Sequence, residues 1–395
     1  MGEPVSNTLL AVNMAAMAAH AFLPPSGAAS WVECALWPTM NQRYPELEEG
    51  VEAAEGTAAH WVFGEQLYQR PVEVGHVAAN GVPVTLEMLE GADTYVEEVG
   101  RAYASLGSVS HYQVEQRVAI PSIHPNNWGT PDTWLFGHNA TSGRARLIVL
   151  DYKFGHEFVE VFENWQLVDY TSGILDFLEV IGAADQYVDV EFVVVQPRSY
   201  HKDGTVRRWT TQASNLRALW NKLSGAAEAA HMPNPVARPT PKACKHCPGR
   251  HSCEALQREA YAAMDVAGMS TPVEMTADAM GLELRMLQRA EKLLEARASG
   301  LAEQLEHALA GGTASPYFVL APGESKLVWV KPPAEVLALG NLAGVDLAKP
   351  PEPVTPTQAK KLLDPALVAM YSDRTRPALK LTPVDTVGAR KVFGQ

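Results

Sequence analysis

Cysteine is scarce in this chain, with 4 among 395 residues, and a chain of that size does not rely on disulfide staples to hold a fold. No apolar run approaches the roughly 20 residues that a membrane-spanning helix needs, so no membrane partner is expected. Lysine and arginine are missing altogether from the Ala-rich stretch Met1 to Ser30. Without a basic n-region that stretch reads as mature sequence rather than as a signal peptide, and the expectation is a soluble, cytoplasmic protein. Charge of either sign is modest, at 19% of residues against 47% hydrophobic, which excludes wholesale disorder. The length suits one large domain or two to three ordinary ones.

Positive charge is in deficit as well. Lys plus Arg number 32 against 45 Asp plus Glu, a net charge of −13, which argues against a protein that coats itself in nucleic acid. The deficit is unevenly placed. Met1 to Glu115 holds 3 Lys plus Arg against 15 acids, whereas Tyr200 to Ala260 holds 10 against 4 and is interspersed with His201, His231, His246 and His251. That second stretch, with Arg207 and Arg208 at its centre, is the expected place for phosphate contacts.

The pattern of apolar residues predicts helices over Thr8 to Ala21 and Gly56 to Gln69, then a change to period two. Tyr112 to Ile120, Thr130 to Phe136 and Ala145 to Lys153 read as three successive strands, the last an apolar run suited to burial on both faces. A helix over Phe162 to Ile181 follows, then a buried strand Val188 to Val195, a partner at Val206 to Thr210, and a helix from Ser214 to Ala230 with Ser214 as its cap. Prolines from Pro233 to Pro241 form a linker into the cysteine segment. Beyond it, Thr276 caps a long helix to Leu309, ended by Gly311 and Gly312. The leucines of that helix near heptad spacing, from Leu282 to Leu294, read as packing positions rather than an oligomer seam. Tyr317 to Leu320 and Leu327 to Val330 flank PGES, a hairpin signal, and a Pro-rich stretch, the short helix Thr357 to Leu363 and a basic tail complete the chain.

Three polar residues stand out at the strand ends: Asp132 in GTPDTW, and Asp151 and Lys153 in LDYK. Side chains two apart on a strand share a face, so Asp151 and Lys153 project together, and Asp132 on the neighbouring strand can share a divalent cation with Asp151. Hard oxygen ligands with room for water and phosphate suit magnesium or manganese. Phosphodiester hydrolysis needs that set, with the lysine ammonium steadying the nucleophile or the charge that develops on phosphate. The plainer alternative is that Asp132 closes a turn while Asp151 and Lys153 merely end a strand. Gln166 and Tyr170, four apart on the next helix, share a face that can look back at the strand ends. His60 can add a nitrogen ligand, and Gly129 permits close approach of backbone or substrate. Glu115 reads as an exposed strand residue, with an extra acidic ligand as the alternative.

The order His60, Gly129-Thr-Pro-Asp132, Asp151-Tyr-Lys153 and Gln166-Leu-Val-Asp-Tyr170 resembles the RecB-type branch of the PD-(D/E)XK nuclease superfamily, over roughly residues 30 to 255. The resemblance implies an α/β, restriction-endonuclease-like core, a mixed central sheet flanked by helices. It implies that His60, Asp132, Asp151 and the backbone carbonyl of Tyr152 bind Mg2+ or Mn2+, that Lys153 assists the attacking water, and that Gln166 and Tyr170 steady the site and the DNA backbone. PPSGAASWVECALW followed by AAEGTAAHWVFGE resembles an uncharacterised phage-encoded nuclease family that begins Ser-Ala-x-x-Trp-x-x-Cys and continues Glu-Gly-Thr-x-x-His. The chain departs from the pattern in Pro131, which stiffens the approach to Asp132, and in using Asp rather than Glu at position 151.

The cysteines follow a pattern of their own. Cys34 stands alone, while Cys244, Cys247 and Cys253 lie together in CKHCPGRHSC, a spacing that reads first as a metal or cluster site. Iron-sulfur members of the RecB-type branch carry one cysteine before the core and three after it, so the resemblance implies a 4Fe-4S cluster on all four thiolates. Zinc, with His246 or His251 recruited, and unrelated buried cysteines are the alternatives.

The expected organisation is a nuclease domain over residues 1 to 255 with its core at about 56 to 230, helical at the start and closed by the cluster; a long helical segment over 256 to 312; and an α+β appendage over 313 to 395. The expected function is a metal-dependent DNA exonuclease of phage recombination or DNA-end processing, with DNA and a phage single-strand annealing or recombination protein as partners. The rival is a non-catalytic DNA-end-binding or recombination-scaffold protein that retains the fold.

Overall fold

The computed structural model describes residues 21–44, 50–180, 185–199, 203–267, 275–323, 327–347, 355–360, 362–374 and 379–383. The helix expected over Thr8 to Ala21 lies almost wholly outside them, as does the basic tail. The chain divides into two compact units, Met1–Ala298 and Ser299–Gln395.

The first unit is built on one five-stranded mixed sheet. Its strands are β1 (Leu106–Val114), β4 (Thr133–Asn139), β5 (Ala145–Tyr152), β6 (Val188–Val195) and β7 (Val206–Gln212), in the spatial order β1-β4-β5-β6-β7. Every neighbouring pair is antiparallel except β5 and β6, which run parallel with Asp151 opposite Val194 and Tyr152 opposite Val195. A parallel pair needs a crossover, and the helix between β5 and β6 supplies it. A minor ribbon pairs β2 (Val118–Ala119) with β3 (Trp128–Gly129).

Both faces of the sheet are covered, which explains why β5 and β6 read as continuous apolar runs. The early helices are α1 (Ala28–Trp31), α2 (Trp37–Arg43), α3 (Val51–Leu67) and α4 (Leu86–Ala104). Ala58, Val62 and Phe63 of α3, with Met88, Ala92, Tyr95 and Val99 of α4, close one face over Leu135, Ile148, Leu150 and Val193. On the other face α5 (Trp165–Phe177) and α6 (Arg217–Ala230) pack with Trp31 over Trp134, Leu147, Val149, Val190 and Phe192. The chain then runs through α7 (Pro241–Lys245), α8 (Glu254–Ala267) and α9 (Ala277–Ala310). Thr276 caps α9 through Oγ1, which accepts from the Ala279 N–H, and Gly312 at φ +91° ends it.

Two expectations about the elements of the first unit need correction. The strand read over Tyr112 to Ile120 is two elements, because β1 stops at Val114 and Glu115 turns the chain at φ +47° before β2 begins. Ser214 caps no helix: a 3-10 turn at Ala213–Leu216 leads directly into α6.

The second unit has two small antiparallel ribbons. One joins β8 (Phe318–Pro322) to β11 (Leu379–Pro383), the other β9 (Leu327–Trp329) to β10 (Ser372–Arg374), which corrects the hairpin expected across PGES, since β8 and β9 each pair with a strand about 45–60 residues further on. Its core gathers Val336 and Leu339 of α10 (Pro333–Leu342), Leu347, Ala359 of α11 (Pro356–Ala359), Leu363, and Val368 of α12 (Pro365–Tyr371). Among the described residues no helix is long and apolar enough to cross a membrane.

Candidate functional site

The adjacent ends of β4 and β5 meet two helices, α3 on one face and α5 on the other. Asp132, one residue before β4, is held from both sides. Its Oδ2 accepts the Tyr152 N–H at 2.6 Å, and its Oδ1 lies 3.4 Å from His60 Nδ1 on α3. Asp151, penultimate in β5, is buried, and its Oδ1 accepts from Lys153 Nζ at 2.9 Å and from Gln166 Nε2 at 3.0 Å. Lys153 Nζ also donates to Gln166 Oε1 at 3.2 Å, closing a three-membered ring of contacts. Gln166 occupies the first turn of α5, where Asn164 Oδ1 caps the N–H groups of Gln166 and Leu167. One turn on, Tyr170 donates its hydroxyl to Thr130 O at 3.1 Å. The site residues His60, Asp132, Asp151, Lys153, Gln166 and Tyr170 therefore converge, with the Tyr152 backbone between the two aspartates.

Small residues make this convergence possible. A methyl group on Gly129 would stand 2.9 Å from the Tyr170 ring and 2.8 Å from Pro25. On α4, one on Gly91 would stand 2.5 Å from the Tyr152 hydroxyl, so glycine lets that ring stand inside the core. Tyr152 in turn meets His60, Phe63 and Tyr95 in edge contacts with centroids 5.3–5.5 Å apart, a buried aromatic wall that fixes the imidazole.

The electrostatics follow from burial and proximity. Burial works against charge on His60, but the adjacent Asp132 carboxylate outweighs it and lifts the imidazole above its usual range. Burial would raise Asp132, yet attraction to and a hydrogen bond with His60, together with Lys153 and the Tyr152 N–H, hold it below the ordinary carboxylate range. Asp151 is pushed up, by burial first and by repulsion from Asp132, against the pull of Lys153. Lys153, despite its own burial, is raised by Asp151 and Asp132 and stays protonated. Two neighbouring carboxylates are thus pushed in opposite directions.

Does the donor set fit a divalent cation? The second carboxylate oxygen of Asp151, Oδ2, is buried with no hydrogen-bond partner, and an orphaned buried anionic oxygen needs a cationic or protic partner. Carboxylates, a carbonyl and one imidazole suit magnesium or manganese in kind. With the side chains as they stand, no group of three His, Cys, Asp or Glu among the described residues is arranged to hold a metal ion, and Lys153 occupies the other oxygen of Asp151. Glu115, read from sequence as an exposed strand residue, is exposed but stands just past the end of β1, at the rim of the site. Its N–H donates to Asp132 O at 2.8 Å and its carboxylate, raised by burial and by Asp132, lies beside Gly64, one turn along α3 from His60.

The four cysteines also converge. Cys34 follows α1, Cys244 ends in α7, Cys247 follows it, and Cys253 precedes α8; all are free thiols. Together they line one cavity enclosing about 320 Å³ of empty space, part of it open to solvent, with Leu36, Trp37, Met40 and Leu256 as its apolar wall. Burial pushes the Cys244 thiol up to about 11 and the Cys247 thiol up to about 12, helped by the neighbouring cysteines. Four sulfur donors around an apolar cavity suit an iron-sulfur cluster or zinc in kind, although with the side chains as they stand no three of them are arranged to hold a metal ion. Cys34 Sγ accepts the Arg238 N–H at 3.4 Å, and Glu33 meets the Thr240 hydroxyl, so the segment around Cys34 is bound to the linker before α7.

Arg207 and Arg208 are where expectation and structure part. Arg207 is buried, stacks on Phe158 at 4.7 Å, and gives its N–H groups to Gln196, Val159 and Gly204. Arg208 pairs with Glu98 on α4 and with Glu191 on β6. The Arg207 guanidinium is consumed in holding β7 to its surroundings, so the expectation that it contacts DNA is corrected, whereas Arg208 stays exposed beside its two acids. Local charge in the sequence gave no sign of acids 110 positions away.

The chain is similar to a crystal structure described as "Putative exonuclease" from Eubacterium rectale, over 70% of this chain and 97% of that one, at 7% identity and a TM-score of 0.34. The family model described as "Protein of unknown function (DUF2800)" matches residues 20–375, nine-tenths of the sequence, and the chain belongs to that family.

Proposed function

We propose that this protein is a metal-dependent deoxyribonuclease of the RecB-type PD-(D/E)XK kind that hydrolyses phosphodiester bonds at DNA ends, in phage recombination or end processing. The observation that carries the reading is the convergence of His60, Asp132, Asp151, Lys153 and Gln166 on one strand end, with a buried oxygen of Asp151 left over. A magnesium or manganese ion held by His60, Asp132, Asp151 and the Tyr152 carbonyl would supply Lewis acidity at the phosphate and acidify water there. Lys153, kept protonated by two carboxylates, would offset negative charge developing on the phosphoryl oxygens. Gln166 would keep Asp151 and Lys153 in register as that charge shifts, and Tyr170 would fix the Thr130 carbonyl and with it the turn that carries Asp132. A 4Fe-4S cluster on Cys34, Cys244, Cys247 and Cys253, with zinc as the alternative, would close the domain as a structural tie.

The test is cleavage of end-labelled linear DNA by the purified full-length protein with Mg2+ or Mn2+. Asp151→Ala and Lys153→Ala should each cut at a rate lower by about 10²-fold or more, the usual worth of such groups. Wild-type rates from either variant, or a wild-type rate indifferent to a chelator, would refute the assignment. Binding of DNA without cleavage under every metal tried would favour the end-binding scaffold instead.

A further inference from the structure

Arg207 is buried and Arg208 is paired with two acids, and the segment beside Asp132 holds another cation. Arg117 lies between β1 and β2, with its guanidinium 3.9 Å above the centroid of the Trp128 ring. Several arginines of the first unit are held by acids: Arg70 by Glu65, Arg101 by Glu98, Arg144 by Asp189, Arg146 by Glu191, Arg198 by Glu55 and Glu87, and Arg217 by Asp185; Arg43 lies over Tyr44, away from Asp132 in the chain. Arg117 differs: among the described residues its guanidinium meets no carboxylate and donates no hydrogen bond, and the ring beneath it is its partner.

Its position is fixed by backbone bonds on either side. The Glu115 N–H donates to Asp132 O at 2.8 Å, and Val118 pairs with Gly129. Gln116 and Arg117 are therefore bracketed opposite Thr130 and Pro131, the two residues that lead into Asp132. The register that sets Val114 opposite Thr133 runs on unbroken to Val118 opposite Gly129, and this continuity puts them there. Trp128 is itself buried and adjoins Gly129, against which Tyr170 packs, so the platform under the guanidinium belongs to the wall of the site. A flat aromatic support fixes the plane of a guanidinium while leaving its in-plane N–H fork open, the geometry that suits a phosphate's two oxygens.

Resting on the nuclease reading above, we infer that Arg117, held flat on Trp128, grips a backbone phosphate of the nucleic-acid strand next to the bond that is cut. Arginine stacked on an aromatic ring and free of acidic partners costs little to order on binding, and its contact is sequence-independent.

The test measures binding of a fluorescent DNA oligonucleotide to the full-length protein across a salt series, with Ca2+ replacing Mg2+ to hold hydrolysis off, followed by cleavage kinetics with Mg2+. Arg117→Gln should weaken binding about five- to twentyfold and lessen the slope of log K against log salt by roughly 0.7–0.9, the loss of one phosphate contact. Arg117→Lys should keep the slope and still lose affinity, because an ammonium cannot reproduce the planar fork. In cleavage the loss should fall on KM more than on kcat. Wild-type slope and KM in Arg117→Gln, or a lowered melting temperature as its sole effect, would overturn the assignment and leave the nuclease reading standing. A wild-type protein that neither binds nor cuts DNA would overturn both.

Discussion

Asp169 lies between Gln166 and Tyr170 in sequence, yet its surroundings set it apart from them. It is fully buried, and its two oxygens take only the Asn127 side-chain amide, at 2.8 and 3.0 Å. Asn127 Oδ1 is buried without a partner. A proton on Asp169 would remove the buried charge while its other oxygen still accepts from the Asn127 amide. Burial pushes Asp169 well above the ordinary carboxylate range, against the opposing hydrogen bond from Asn127. A carboxyl raised in the fold binds its proton more tightly there than in the unfolded chain. Its stabilising contribution is therefore complete below about pH 3.9, the unfolded value, and is lost as pH rises through the folded value. Asp169→Asn should remove that slope, giving a variant whose melting temperature gains on the wild type as pH rises from 4 upward; parallel melting curves would refute the protonated pair. Gly91→Ala is the matching steric case, because the added methyl meets the Tyr152 hydroxyl at 2.5 Å. It should cost about 1–3 kcal/mol by overpacking, measured by denaturant unfolding.

At the scale of elements, the first turn of α5 carries the most consequence for the site. Asn164 caps it with two hydrogen bonds, and Gln166 follows at once. Asn164→Ala should cost about 1 kcal/mol of stability, read from the chemical denaturation midpoint. It should also reduce cleavage with Asp151 and Lys153 intact, whereas unchanged cleavage would show that Gln166 needs no such placement. Much at this scale was legible in the sequence. β5, β6 and the crossover helix were readable because burial on both faces leaves continuous apolar runs and helical spacing survives between them. The spacing of Asp132, Asp151, Lys153 and Gln166 was readable because their chemistry is local to strand and helix ends, and His60, in the body of α3, was readable as an imidazole on an early helix. The split at Glu115 was not, since alternation of apolar and polar residues runs on through a single residue of positive φ. Arg117 was missed for a related reason: an arginine and a tryptophan eleven positions apart form no motif until a turn and a two-residue ribbon bring them together.

At the scale of the molecule, the four cysteines gather residues more than 200 positions apart. Thiols raised to about 11 and 12 are protonated at neutral pH, and a metal or cluster needs thiolates, so loading must release protons. Zinc affinity of the unloaded protein should therefore rise with pH from 6 to 8, and a pH-independent affinity would show that these thiols are not the ligands. A brown protein with stoichiometric iron and sulfide would mark the cluster, and Cys34→Ser should lose that colour. The same variant should be cut faster by protease in the Pro233 to Pro241 linker, because Cys34 and Glu33 hold the far end of that segment.

The parallel pair of β5 and β6 bears on how the chain comes off the ribosome. β1, β4 and β5 follow one another closely in sequence and can pair as they emerge, bringing Asp132 and Asp151 side by side early. The segment that carries Lys153 is secured only when its N–H finds Val195 O, after the crossover helix and β6 have been made. Contacts of such long sequence separation form late in folding. A nascent or truncated chain ending before Val195 would hold both acids and a lysine whose backbone is not yet tied to the sheet, so the complete site is an attribute of the finished domain.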